Sequence, residues 1–192
     1  MMPEELYNRK LWNRAALMTV ATTLALSLMG QPLWCKCGSW IPWSWDIWSS
    51  HNSQHLFDPY TASHVLHGVI FCGMLYWLPR SVPESTRFLA AVALECGWEI
   101  LENSPLIIER YRESTMALDY FGDSVMNSLA DILACIVGYG VACRLRAVKS
   151  VIFSVATELI LVFWIRDCLT LNVLMLIWPI EVIKQWQMAL TS

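Results

Sequence analysis

The chain has 192 residues, of which 56% are hydrophobic and only 15% charged, with 11 Trp and a formal net charge of −3. Soluble domains average roughly 45–50% and about 25% on the first two measures, so the composition argues against an ordinary soluble domain. The negative balance, with no basic patch interleaved with aromatics, excludes nucleic acid as a partner.

The first predicted helical segment covers residues 15–33. It opens with the uncharged run "AALMTVATTLALSLM" and follows Arg9, Lys10 and Arg14. With "GQPLW" it reaches about 20 residues, the length of a bilayer span. Ala25-Leu26-Ser27 could pass for a signal-peptide cleavage site. Glu4 and Glu5 do not suit a basic leader, so an uncleaved anchor is the reading kept. Residues 34–61 read as a Trp- and Cys-rich loop, with room for a short interfacial helix. Trp40, Trp43, Trp45 and Trp48 suit a headgroup layer, where an amphipathic ring is wet at one end.

Further segments are expected at 62–79, 86–104, 124–143, 150–166 and 173–186. The last is short for a span and holds Pro179. It reads as a kinked or tilted sixth span, a re-entrant piece or an interfacial helix. The expected fold class is therefore all-α: an integral membrane helical bundle of five to six transmembrane or re-entrant segments, in a single membrane domain over 1–192. With a cytoplasmic N-terminus and six alternating segments, nine of the 13 Lys and Arg fall inside, as the positive-inside rule favours. Five spans move only Lys184 to the other side.

That orientation collects polar residues in the outer half. His64 and His67 open the second segment, and Glu95, Glu99 and Glu102 lie in the outer half of the third. Asp119 and Asp123 precede the fourth, which carries Asn127 and Asp131. Arg166, Asp167 and Asn172 follow the fifth. At about 100° per residue, the three glutamates fall within roughly a 60° arc. Asp123, Asn127 and Asp131 make a second stripe at i, i+4, i+8, and His64 and His67 share one helix face. A charge near the bilayer centre costs at least ~2.5–3.5 kcal/mol. The stripes should therefore face one another, or a wet cavity open to the outer leaflet.

Three readings of this cluster stand open. In the first, the residues are interhelical glue in a non-catalytic scaffold or assembly factor. In the second, they line a catalytic or substrate site for a lipid or cell-envelope headgroup. His64, His67, Glu99, Glu102, Asp123 and Asp131 would then carry the chemistry, and Arg166, Asn172 and Asn127 would hold the ligand. In the third, His64, His67, Glu99 and Glu102 bind a divalent metal, since carboxylate-rich sites with His suit iron, manganese or zinc. No nucleophile motif is present: Gly122-Asp123-Ser124 lacks the G-x-S-x-G frame. Of seven Cys, those in apolar runs read as small core residues. Cys35 and Cys37 in the loop do not make a zinc site without partners, which His51 or His55 could supply. A bridge from one of them to Cys168 is the other use open to them.

Three stretches, "NSQHLFDPYTASHVLHG", "WEILENSPLIIERYRESTMALDYFGDSVMNSLAD" and "IRDCLTLNVLMLIWPIEVIKQWQ", resemble an uncharacterised family of multipass bacterial inner-membrane proteins with a domain of unknown function, mainly alphaproteobacterial. The resemblance covers nearly the whole chain, including Cys35, Cys37 and Gly38. It implies a multi-spanning protein of the plasma membrane and no mechanism. More distantly, a His near the start of one span, a Glu in the next and an Asp pair in the following one resembles the VanZ-like membrane proteins.

Overall fold

The computed structural model describes residue 6 and residues 8–115 and 120–189. Glu4, Glu5 and Asp119 lie outside the described residues. Among the described residues seven helices follow in chain order: α1 (Arg9–Leu28), α2 (Thr61–Tyr76), α3 (Glu84–Glu102), α4 (Pro105–Ser114), α5 (Val125–Ile165), α6 (Leu169–Ile177) and α7 (Glu181–Met188). Among the described residues there is no strand, only a single bridge between Trp43 and Phe57.

Local chemistry sets most of these boundaries. Asn8 caps α1 by accepting from Lys10 N–H at 2.9 Å. Pro105 opens α4, where a missing N–H costs nothing. Ser124 caps α5 through Oγ, which accepts from Asn127 N–H at 3.1 Å. The stretch between the segments expected at 86–104 and 124–143 thus contains a further helix, α4. The apolar runs 124–143 and 150–166 merge into α5, which is broken at Arg146 by non-helical angles of φ 64 and ψ 171. That break lies inside the basic cluster Arg144, Arg146 and Lys149.

The stretch 173–186 is not one helix. Trp178 is extended at φ −136 and ψ 89, as a residue before proline tends to be, and Pro179 lacks the donor needed to continue. The 9-residue α6 and 8-residue α7 on either side rise only about 12–14 Å each, less than half a hydrocarbon core. Residues 34–60 hold no helix among the described residues.

Packing is dominated by α2 against α5. Two glycines set the crossing. A Cβ on Gly68 would lie 1.9 Å from the Cys135 carbonyl oxygen, and one on Gly138 would lie 1.9 Å from that of Val65. Backbones approach this closely only where small residues meet. α3 and α1 pack alongside, and Leu11, Phe88, Val92, Ile132 and Tyr139 form the main apolar core.

The exterior is unusual. Along 147–165 the second arm of α5 exposes Val148, Val151, Ile152, Ile160 and Phe163, the last at 84%. Glu95 and Glu99 are meanwhile at 0%. One helix among the described residues, α5, is long and apolar enough to cross a membrane; α2 is apolar but 16 residues long.

Candidate functional site

The site forms where the first two turns of α2, the last two of α3 and the first two of α5 converge. Glu95 is its hub. Its Oε1 lies 2.6 Å from His64 Nδ1 and its Oε2 lies 2.9 Å from His67 Nδ1. A carboxylate oxygen accepts, so each Nδ1 carries a proton, and in the neutral ring Nε2 keeps its lone pair. One glutamate thus orients both imidazoles. His64 Nε2 then lies 3.9 Å from Asp131 Oδ2.

Glu99 lies one turn on and is fully buried. Its Oε1 is 3.4 Å from His64 Nδ1, but that proton is directed at Glu95. Neither Glu99 oxygen has a hydrogen-bond partner among the described residues, and Glu102 Oε2 and Asp131 Oδ1 are in the same state. Asn103 ends the stripe. Its Nδ2 donates to Asp123 Oδ2 at 3.1 Å and to the Glu99 carbonyl at 3.0 Å, and its Oδ1 accepts from Asp123 N–H at 2.6 Å.

Loops and short helices complete the wall. Asp58 caps the start of α2, accepting from the N–H groups of Tyr60 at 2.7 Å and Thr61 at 3.1 Å. Asp167 accepts from Tyr60 OH and from Gln187 Nε2, each at 3.1 Å. Tyr111 OH lies between Glu102 Oε1 at 3.0 Å and Asn172 Oδ1 at 2.9 Å. Tyr120 OH donates to Asp123 Oδ1 at 2.9 Å. Desolvation raises both interhelical carboxyls at the rim. Asp167 and Asp123 are each pushed up to about 6, against hydrogen bonds that favour their charged forms. Burial likewise raises Asp58.

These groups line a cleft that is open to the outside. His64, His67, Glu102, Asp123 and Asp131 all reach it, as do Asn127 and Asn172. Glu99 sits behind His64. Arg166 is elsewhere: it ends α5 in the left-handed region and its Nη1 donates to the Trp186 carbonyl at 2.9 Å. Among the described residues no Lys or Arg lines the cleft. The anticipated set His64, His67, Glu99 and Glu102 divides into two groups that could hold a metal, one of His64, His67 and Glu95, the other of His64, Glu99 and Glu102.

Glu95 belongs to the stripe read from the sequence but not to the site residues chosen from it; its i, i+4 relation to Glu99 was the available signal. Asp58, Tyr60, Tyr111 and Tyr120 had no such signal, since they reach the cleft from loops and from the unforeseen α4. All seven cysteines are free thiols, and Cys168 packs against Leu161 and Ile165 rather than bridging to Cys35 or Cys37.

Fold and site together define an all-helical protein with an acid- and histidine-rich cleft, exposed apolar helices and groups able to hold a metal. The family model "Protein of unknown function (DUF2585)" matches residues 26–189, and the chain belongs to that family. It is similar to UPF0314 protein R03235 of Rhizobium meliloti, 47% identical over 178 residues, covering 92% of this chain and 90% of that one. A UPF0314 protein of Paracoccus denitrificans is 45% identical over 174 residues, covering 91% and 90%. One of Sphingopyxis alaskensis is 45% identical over 179 residues, covering 92% and 94%. No solved structure matches the chain.

Proposed function

We propose that this chain is a multi-spanning protein of the bacterial inner membrane, N-terminus in the cytoplasm, whose cleft binds a divalent cation facing the outer leaflet. Through that cation it would take a polar lipid or cell-envelope headgroup. The observation that carries this reading is Glu99: fully buried, with both oxygens lacking a hydrogen-bond partner, beside His64 and Glu102 with ligand atoms within 4.8 Å of one another. Buried carboxylates are stable when paired or when they coordinate a metal. A wall of carboxyls with no Lys or Arg repels an anion and attracts a cation.

His64 suits a ligand role because Glu95 holds its Nδ1–H, the carboxylate–histidine arrangement that orients metal-binding imidazoles. A bound divalent ion would act there as a Lewis acid toward a headgroup oxygen. His64, Glu99 and Glu102 would hold it, with Asp131 close by. The exposed apolar faces of α1 and α5 support the membrane setting, because soluble monomers rarely expose contiguous patches above a few hundred Å².

A second reading has its own support. Asn103 ties the end of α3 to Asp123 and lies 3.4 Å from Ser128 Oγ, as interhelical glue in a scaffold would. The two readings separate on Glu99. Titration calorimetry with Mn(II), which favours oxygen-rich sites, should show binding in wild type that Glu99→Gln weakens at least tenfold, with the melting temperature held. A wild-type protein that does not bind Mn(II) leaves the scaffold reading standing.

A further inference from the structure

The loop 34–60 contains a second cluster, far in chemistry from the carboxylate cleft. Cys35 Sγ lies 3.3 Å from His51 Nδ1, and Cys37 Sγ lies 3.6 Å from His55 Nε2. All four ligand atoms fall within 4.8 Å of one another. A tetrahedral zinc ion with bonds of about 2.0–2.3 Å has ligand–ligand edges of roughly 3.6 Å. The two Cys–His separations, 3.3 and 3.6 Å, are close to that edge.

The surroundings are those of a built site. Backbone N–H groups point at both sulfurs: Cys37 N–H to Cys35 Sγ at 3.5 Å, and Ser39 N–H to Cys37 Sγ at 3.4 Å. Such donors stabilise thiolates. Gly38 at φ 73 permits the tight turn after Cys37 that aims them. His55 Nδ1 meets the Ile41 carbonyl, which takes the proton on that nitrogen and frees Nε2 for a metal. The loop is closed for this purpose by reciprocal bonds of 2.9 Å, Ser44 N–H to Phe57 O and Phe57 N–H to Pro42 O. Trp34 braces the turn from outside, donating to Ser39 O at 2.8 Å and packing its ring 5.4 Å from that of His55. Cys37 is exposed and an open depression borders Cys35, Cys37 and His51, so an ion has an entry path.

We infer that Cys35, Cys37, His51 and His55 form a tetrahedral site for a thiolate- and imidazole-preferring divalent metal of the zinc class. Four protein ligands close the coordination sphere, which marks a structural site. Its role follows from what the loop does next. Gln54, between the two histidines in the chain, donates to the Gly122 carbonyl at 2.8 Å, and Ser53 O accepts from Ser124 N–H at 2.9 Å. The metal thus fixes a loop with no helix of its own against the start of α5, where Asn52 and Ser53 line the cleft. Softer ligands separate it from the oxygen-rich cleft, and the two sites load independently.

The test uses full-length protein in detergent, stripped with chelator and reloaded with Co(II) or Zn(II). Co(II) should give a thiolate-to-cobalt charge-transfer band, present in wild type and in Glu99→Gln and absent from a Cys35→Ser, Cys37→Ser double variant. Zn(II) should protect Cys35 and Cys37 from iodoacetamide at least tenfold in wild type, read by peptide mass spectrometry, so the conclusion does not depend on the variant folding. Equal alkylation with and without Zn(II), or no charge-transfer band in wild type, overturns the site. Loss of the band in Glu99→Gln but not in the double variant would overturn it too, by assigning the metal to the cleft.

Discussion

Glu95 and Glu99 sit one turn apart on α3, both fully buried, and differ in their partners. Glu95 satisfies both oxygens with imidazole protons, whereas Glu99 has none. Removing one side of a buried pair typically costs about 3–5 kcal/mol. Glu95→Ala should therefore lower stability by about 3 kcal/mol, read by thermal unfolding in detergent. Glu99→Gln should leave the melting temperature within about 2 °C or raise it, because a neutral amide costs less to bury than an unpaired charge. Equal losses in both would deny Glu95 its special position. Asp167 supplies a pH signature. Its folded value of about 6 exceeds the unfolded 3.8, so the native state holds the proton more tightly. Its contribution is most favourable at or below pH 4 and is lost as pH rises through 6. The full loss is on the order of 3 kcal/mol. Asp167→Asn should flatten the melting temperature between pH 4.5 and 7, and an unchanged slope would assign that dependence to other carboxyls.

At the scale of elements, the α2–α5 crossing carries the site, because it brings His64 opposite Asp131. Gly68 and Gly138 permit it, each lying where a methyl group would meet a backbone carbonyl at 1.9 Å. Backbone cannot rotate aside as a side chain can. Gly68→Ala or Gly138→Ala should cost about 3 kcal/mol, the upper end of overpacking penalties. The pair should show as reduced yield of folded protein and a lowered melting temperature. Gly73, on the same helix with nothing within 4 Å of its would-be Cβ, serves as the control. Gly73→Ala should be neutral or slightly stabilising. A glycine in an apolar run reads the same from sequence whether it is crossed or open, so this distinction was not legible there.

For the whole molecule, the second arm of α5 turns apolar groups outward while the cleft carboxyls Glu95, Glu99, Asp123 and Asp131 are buried. The proposed topology makes a direct prediction. Alkaline phosphatase fused within residues 34–61 should be active, and fused just after Arg80 it should be inactive. The reverse pattern would invert the orientation and move the cleft to the cytoplasmic face. Helices α6 and α7 are each too short to span a bilayer, and Asp167 and Asn172 beside them line the cleft.

From the sequence alone came the all-helical class, the family, and seven residues that the structure places along the cleft. Hydrophobic runs of helical length and carboxylates at i, i+4 spacing are local properties, and the cost of burying a charge is the reason to expect such stripes to face one another. It did not determine which groups pair. Glu95 rather than Glu99 bridges the histidines because α3 packs on α2 with Glu95 level with both rings. Nor did it determine that Cys35, Cys37, His51 and His55 meet: that depends on a loop closed by Trp43 and Phe57, and loops carry no periodicity from which a contact can be read. The tertiary structure also set Arg166 aside, because the left-handed end of α5 turns its guanidinium toward Trp186 and away from the acids that charge alone would have paired with it.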